Sequence, residues 1–173
     1  MVQVEIINIG DELLIGQVVN TNASQMAQKL NSYGFNVLAT SVIGDSGNQI
    51  RESLDIALKR ADCVLITGGL GPTKDDITKK ILAEYFESGL IINKEVEQHV
   101  KSYFTRKQLP FTETNRAQAL VPEKCKVIFN PVGTAPGMCF EKNGKLIVSM
   151  PGVPFEMRLM MEKVIEIMQK FFN

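Results

Sequence analysis

Two stretches of the chain set acidic side chains among glycines. The first is Gly10-Asp11-Glu12-Leu13-Leu14-Ile15-Gly16, where adjacent carboxylates follow an apolar run. Such a pair can hold a divalent cation, and it can equally be a solvated acidic turn. On an extended segment adjacent side chains point to opposite sides, so only one of Asp11 and Glu12 is expected to face a ligand. The second stretch is Thr67-Gly68-Gly69-Leu70-Gly71-Pro72-Thr73-Lys74-Asp75-Asp76-Ile77-Thr78. Its glycines carry no side chain to intrude, so backbone N–H groups can turn toward phosphate oxygens. A helix expected to follow offers its positive end to the same anion. The stretch lacks the Gly-Lys-Ser/Thr ending of a P-loop and the spacing of the dinucleotide fingerprint, so neither of those mechanisms transfers. Asp75 and Asp76 suit N-capping of that helix, but capping uses only one carboxylate. The second stands free beside a bound diphosphate, where Mg²⁺ would offset the crowded negative charge.

Two later loops are expected at the same place. Asn130-Pro131-Val132-Gly133-Thr134-Ala135-Pro136-Gly137 holds too many turn formers for strand or helix, and Met150-Pro151-Gly152-Val153-Pro154-Phe155-Glu156 leads into a last helix, with Pro154 suited to its first turn. The candidate anion contacts are therefore Gly68, Gly69, Leu70, Gly71 and Thr73, joined by Gly133, Thr134, Gly137 and Gly152. Lys74, Lys79 and Lys80 lie near in sequence, though lysines on a helix surface are usually just solvated. No residue is a clear reader of a nucleobase.

The elements that must position these loops follow from periodicity. Val4–Ile9, Phe35–Ile43 and Cys63–Thr67 are apolar runs that read as buried strands. Between them fall helical patterns: one capped by Asn22, carrying Ala23, Met26, Ala27, Leu30 and Tyr33 and stopped by Gly34, and one carrying Ile50, Leu54, Ala57 and Leu58. A helix with Ile77, Ile81, Leu82 and Tyr85 inward follows the glycine loop. Strands alternating with helices predict an α/β fold, a three-layer sandwich whose mostly parallel sheet is covered by helices on both faces. Ligands of such sheets bind outside the carboxyl ends of the strands, where the motifs fall. The helical stretches 93–107 and 113–120 read as a lateral insertion. Lys126–Phe129 is a further strand. Asn143-Gly144 between two apolar runs marks a hairpin, which places one antiparallel strand in the sheet. Met157, Met160 or Met161, Val164, Met168 and Phe171 form a stripe on the last helix, and such a stripe is core filling.

Composition bounds the rest. With 173 residues, 45% hydrophobic and 22% charged, one domain spanning 1–173 is expected. Nineteen basic residues balance nineteen acidic ones, which offers no basic stripe for nucleic acid. Cys63, Cys125 and Cys139 are odd in number and far apart, arguing for buried thiols against disulfides or zinc. His99 has no His or Cys nearby, so it is not expected to bind metal or to catalyse. Neither a leader nor an 18-residue apolar run is apparent, so a cytoplasmic protein with no membrane partner is expected.

Taken in order, Gly-Asp-Glu-Leu-Leu-x-Gly at 10–16, Thr-Gly-Gly-Leu-Gly-Pro-Thr-x-Asp-Asp-x-Thr at 67–78, Gly-Thr-Ala-Pro-Gly at 133–137 and Pro-Gly-Val-Pro-x-Glu-Met at 151–157 resemble the N-terminal domain of CinA (competence/damage-inducible) proteins. That domain falls in the superfamily of MoaB/Mog-like molybdenum-cofactor biosynthesis domains. The resemblance implies hydrolysis of a nucleotide diphosphate such as ADP-ribose, with Mg²⁺ or Co²⁺ as the divalent cation and K⁺ alongside. It implies Asp76 and Asp11 as catalytic residues and Asp76 and Asp75 as metal holders. Related domains assemble, so a homo-oligomer is also in view. Two alternatives stand beside this: a nucleotide- or pterin-binding module without turnover, and adenylyl transfer to molybdopterin. The loop here reads Gly-Gly-Leu-Gly-Pro-Thr where the adenylyltransferases have Gly-Gly-Thr-Gly, and Asp75 replaces a basic residue, which weakens the pterin reading. A C-terminal amidase of full-length CinA proteins is not in this sequence, so deamidation is not expected of it.

Overall fold

Strand β1 (Gln3–Ile9) shows how the layers arise. Val4 and Ile6 point to one face and Ile7 and Ile9 to the other, and all four are buried, so the strand needs cover on both sides. The computed structural model, which describes all 173 residues, supplies it. β1 lies between β2 (Asn36–Ile43) and β3 (Cys63–Thr67). Beyond β3 come β8 (Lys145–Met150), β7 (Gly137–Lys142) and β6 (Lys126–Ile128), giving the order β2-β1-β3-β8-β7-β6. The pairings of β1 with β2 and β3, and of β3 with β8, are parallel. β7 runs antiparallel to both of its neighbours and is the one reversed strand. Its link to β8 turns at Asn143 and Gly144, with φ of 51° and 74°, the paired positive values of a tight hairpin turn.

Helices α2 (Thr21–Ser32) and α7 (Pro154–Phe172) cover one face, where Met26, Leu30, Met157, Met160, Met161 and Met168 meet Val4, Ile6, Leu65 and Val148. The methionine stripe is core. On the other face α3 (Gly47–Arg60) and α4 (Thr78–Tyr85) bury Ile50, Leu54, Ile81 and Leu82 against Ile7, Ile66 and Ile147. This is the expected three-layer α/β sandwich with its single antiparallel strand.

The lateral insertion is present as α5 (Lys94–Arg106), α6 (Glu113–Arg116) and a 3₁₀ turn (Ala117–Ala119). It has its own small core of Val96, Val100 and Ala119. It also contains a two-stranded antiparallel ribbon, β4 (Leu90–Ile92) with β5 (Leu120–Pro122), which the sequence reading did not contain. Strands of three residues carry too little alternation to be recognised. Cys63 and Cys139 are buried and Cys125 is partly buried, all as free thiols. No helix is long and apolar enough to cross a membrane.

Candidate functional site

The carboxyl ends of β1, β3 and β8 and the amino end of the reversed β7 share one edge of the sheet, and a cleft of about 720 Å³ runs along it. The loops after these strands form its walls. Gly68 and Gly69 make the sharp turn out of β3 with φ of 105° and 68°. A Cβ on Gly68 would overlap the carbonyl oxygen of Ile9, and one on Gly69 would overlap Thr78 Oγ1, so glycine is required at both positions. The loop is pinned at both ends: Gly68 N–H donates to the Met150 carbonyl at 3.1 Å and Thr78 N–H to the Gly69 carbonyl at 3.1 Å. Between those pins the N–H groups of Gly69, Leu70 and Gly71 have no protein acceptor, and all three residues line the cleft. Three unpaired adjacent donors are chemically able to accept an anion.

The acids are arranged differently from expectation. Asp11 and Glu12 are not on an extended segment but in a single helical turn, α1 (Asp11–Leu14), and both line the cleft. Asp11 Oδ1 accepts from Asp45 N–H at 3.2 Å while Asp45 Oδ2 accepts from Asp11 N–H at 3.1 Å, which ties the loop after β1 to the loop after β2. Burial raises the Asp45 pKa, and the charges of Asp11, Glu12 and Asp76 raise it further against the opposing bond from the Asp11 amide. The four carboxylates therefore share one field. Neither Asp75 nor Asp76 caps α4, which begins two residues later at Thr78 with no side-chain cap. Instead Asp76 Oδ2 accepts from Thr73 N–H at 3.0 Å and from Thr73 Oγ1–H at 2.5 Å. Its Oδ1 has no donor in the protein, and Asp75 stands exposed beside it.

Asn22 is not a cap either. Asn20 Oδ1 caps α2 by accepting from Ala23 N–H at 3.2 Å. Asn22, 7% exposed, donates through Nδ2 to the Gly152 carbonyl at 2.8 Å and to Thr67 Oγ1 at 3.2 Å, stapling the end of β3 to the loop after β8. Its Oδ1 is buried without a donor. Gly152 lies so close to Gly68 that a Cβ there would sit 3.3 Å from the Gly68 Cα.

Of the late-loop candidates, Thr134 and Gly152 line the cleft and Gly133 and Gly137 do not. Asn130, 2% exposed, takes the Gly133 N–H on its Oδ1 at 3.0 Å and donates through Nδ2 to the Ala135 carbonyl and to Glu156 Oε2. Gly137 lies within β7 under the Met160 side chain, where a Cβ would come within 2.6 Å of Cε. It is a packing glycine. Lys79 does not reach the cleft: it is partly buried, donates to the Ala117 carbonyl at 2.8 Å, and burial lowers its pKa to about 8. His99 donates from Nε2–H to the Gly133 carbonyl at 2.9 Å, and so holds the insertion against the late loop. Asp45, Asn130, Glu156 and Gln118 went unrecognised in the sequence. Asp45 follows a parallel strand and was open to the same strand-end rule, Asn130 and Glu156 belong to the two late loops expected at this edge, and only Gln118 is brought in by chain folding alone.

The balance of charge is one-sided. Asp11, Glu12, Asp45, Asp75, Asp76 and Glu156 line the cleft, and no Lys, Arg or His does. No three acidic, His or Cys side chains converge to form a metal centre on their own.

A glycine-turned loop with unpaired amides at the carboxyl edge of a mostly parallel sheet defines an α/β domain with its cleft at that edge, and the comparisons place it in a family. The model described as "Probable molybdopterin binding domain" matches residues 5–170, and the chain belongs to that family, in its CinA-like branch. The CinA protein of Thermoplasma acidophilum is 34% identical, with a TM-score of 0.82 over 97% of this chain and 96% of that one. A CinA-like protein of Flavobacterium psychrophilum is 49% identical over 161 residues, covering 91% of this chain and 38% of its own length. A protein of Caldicellulosiruptor bescii designated competence-damage inducible is 44% identical over 168 residues, 96% of this chain and 41% of its own. The chain thus spans about two fifths of the length of these curated relatives. MoaB of Thermus thermophilus, 20% identical with a TM-score of 0.63 over 96% of this chain and 91% of that one, shares the fold.

Proposed function

We propose that the cleft binds a nucleotide diphosphate of the ADP-ribose type together with a divalent cation, and hydrolyses the diphosphate linkage. One observation carries this: a cleft with three free backbone amides in its wall is lined by six carboxylates and no basic side chain. A diphosphate entering alone would meet strong like-charge repulsion, so a cation must enter with it. The donor set fits Mg²⁺ or Co²⁺. Asp76 Oδ1 and the Asp75 carboxylate are free and would hold the ion, with the diphosphate itself supplying further oxygen donors. The bound ion would neutralise phosphate charge and acidify a water.

The chain's own groups do the rest. Gly69, Leu70 and Gly71 amides hold the phosphate oxygens and stabilise charge that develops on them. Thr73 fixes the Asp76 carboxylate through Oδ2 and leaves Oδ1 free for the cation, and Asp11, held by Asp45, takes a proton from the attacking water. K⁺ is the monovalent ion that belongs with this reading. The family description supports a second ligand, a pterin phosphate, in the same cleft, bound without turnover or adenylylated.

Incubating the chain with ADP-ribose, Mg²⁺ or Co²⁺ and K⁺, and following AMP by chromatography, tests the proposal. Metal-dependent AMP release is expected, falling at least about 100-fold in Asp76→Asn. No release, with ADP-ribose still bound, would replace hydrolysis by a binding role.

A further inference from the structure

Gln118 lies in the 3₁₀ turn of the insertion and lines the cleft. It is 3% exposed, its Oε1 is wholly buried, and its amide makes no hydrogen bond to the protein at either end. An amide buried in this way forfeits about 1–3 kcal/mol unless something outside the chain completes it. Two bonds fix its place. Lys79 Nζ holds the Ala117 carbonyl, and His99 holds the Gly133 carbonyl, so the turn is clamped beside Thr134 and Ala135 on the β7 side of the cleft. Asp11, Glu12 and Asp45 stand at the opposite end, after β1 and β2. Three of the six carboxylates crowd one end of the cleft; the other end has the single carboxylate of Glu156, which Asn130 Nδ2 holds, and beside it an unpaired amide and the Thr134 hydroxyl, which has no partner in the protein.

We propose that Gln118 reads the nucleoside of the ligand, while the diphosphate and its cation occupy the acidic end. A side-chain amide presents donor and acceptor together, which matches a neutral edge bearing both, as the amino and ring-nitrogen edge of adenine does. A phosphate oxygen has no proton to give, so it would leave the buried Oε1 acceptor unpaired, whereas a neutral edge with a donor satisfies it. The inference rests on the proposed nucleotide-diphosphate ligand.

Calorimetric titration of the chain and of Gln118→Met with ADP and with pyrophosphate, each with Mg²⁺, tests it. The wild type binds both. Gln118→Met loses about three- to tenfold in affinity for ADP, the worth of one neutral hydrogen bond, and keeps its affinity for pyrophosphate within about twofold. It also melts no lower than wild type, because the amide lost had no partner in the protein. Gln118→Leu, which also lacks the amide, serves if the Met variant fails to fold. Unchanged ADP affinity overturns the inference, as do parallel losses for ADP and pyrophosphate, which would mark Gln118 as a support of the fold. A wild type that binds neither probe overturns the nucleotide-diphosphate reading itself. Repeating the titration with ribose 5-diphosphate, which lacks the base, separates the sources: a penalty that vanishes places the contact at the base, and one that persists places it at the ribose.

Discussion

Asp45 shows what single residues must bear to keep the cleft as it is. Burial first, and then Asp11, Glu12 and Asp76, hold its carboxyl pKa up, so the folded state resists its ionisation. A carboxyl raised in the fold contributes most below its unfolded pKa of about 3.9 and loses that contribution as pH rises through the folded value. Asp45→Asn should therefore melt higher than wild type at pH 7, with the gap closing toward pH 3, and its Oδ1 can still accept the Asp11 amide. A gap independent of pH would show that charge is not the cause. Gly68 bears steric demand instead. With φ of 105° and the Ile9 carbonyl oxygen where a Cβ would have to sit, Gly68→Ala should lower unfolding free energy by at least about 2 kcal/mol in urea titration and abolish ligand binding. At this scale the sequence was informative about the glycines, whose type alone announces a tight turn, and less so about the acids. Asp76 looks like a helix cap until the helix is seen to begin at Thr78 and Thr73 to hold the carboxylate.

Among the elements, the buried strands and amphipathic helices were legible because each carries its own period. β3 was readable to the residue, since every position in it is apolar or at a turn boundary. The lateral helices were readable too, but not where they dock, because docking depends on Lys79 and His99 reaching carbonyls 38 and 34 residues away. Lys79 gives that docking a pH signature. Its pKa is lowered by burial to about 8, below the unfolded value of about 10.4, so the unfolded chain binds the proton more tightly. Relative to Lys79→Met, wild-type stability should rise between pH 8 and 10, at up to about 1.4 kcal/mol per pH unit. Parallel pH profiles for the two would mean that the ammonium stays solvated.

In the whole molecule the nineteen positive and nineteen negative charges cancel, yet they are unevenly placed, and the cleft receives six carboxylates and no cation. Composition cannot show this, because the acids come from four separate segments of the chain. The core has its own signature. Burial raises the thiol pKa of Cys63, and pushes Cys125 to about 12 and Cys139 to about 11. Stability held below the unfolded thiol value of about 8.5 should therefore be lost as pH climbs toward 11, and Cys139→Ala should lose less of it in urea titrations across that range. The acidic cleft around a free-amide loop is the centre of the account, and affinity for ADP-ribose with and without a divalent cation tests it most directly. Calorimetry in Mg²⁺ should show binding that disappears in EDTA and weakens in Asp76→Asn. Equal affinity in Mg²⁺ and EDTA would contradict the account, because the diphosphate would then be held without any charge to balance the six carboxylates around it.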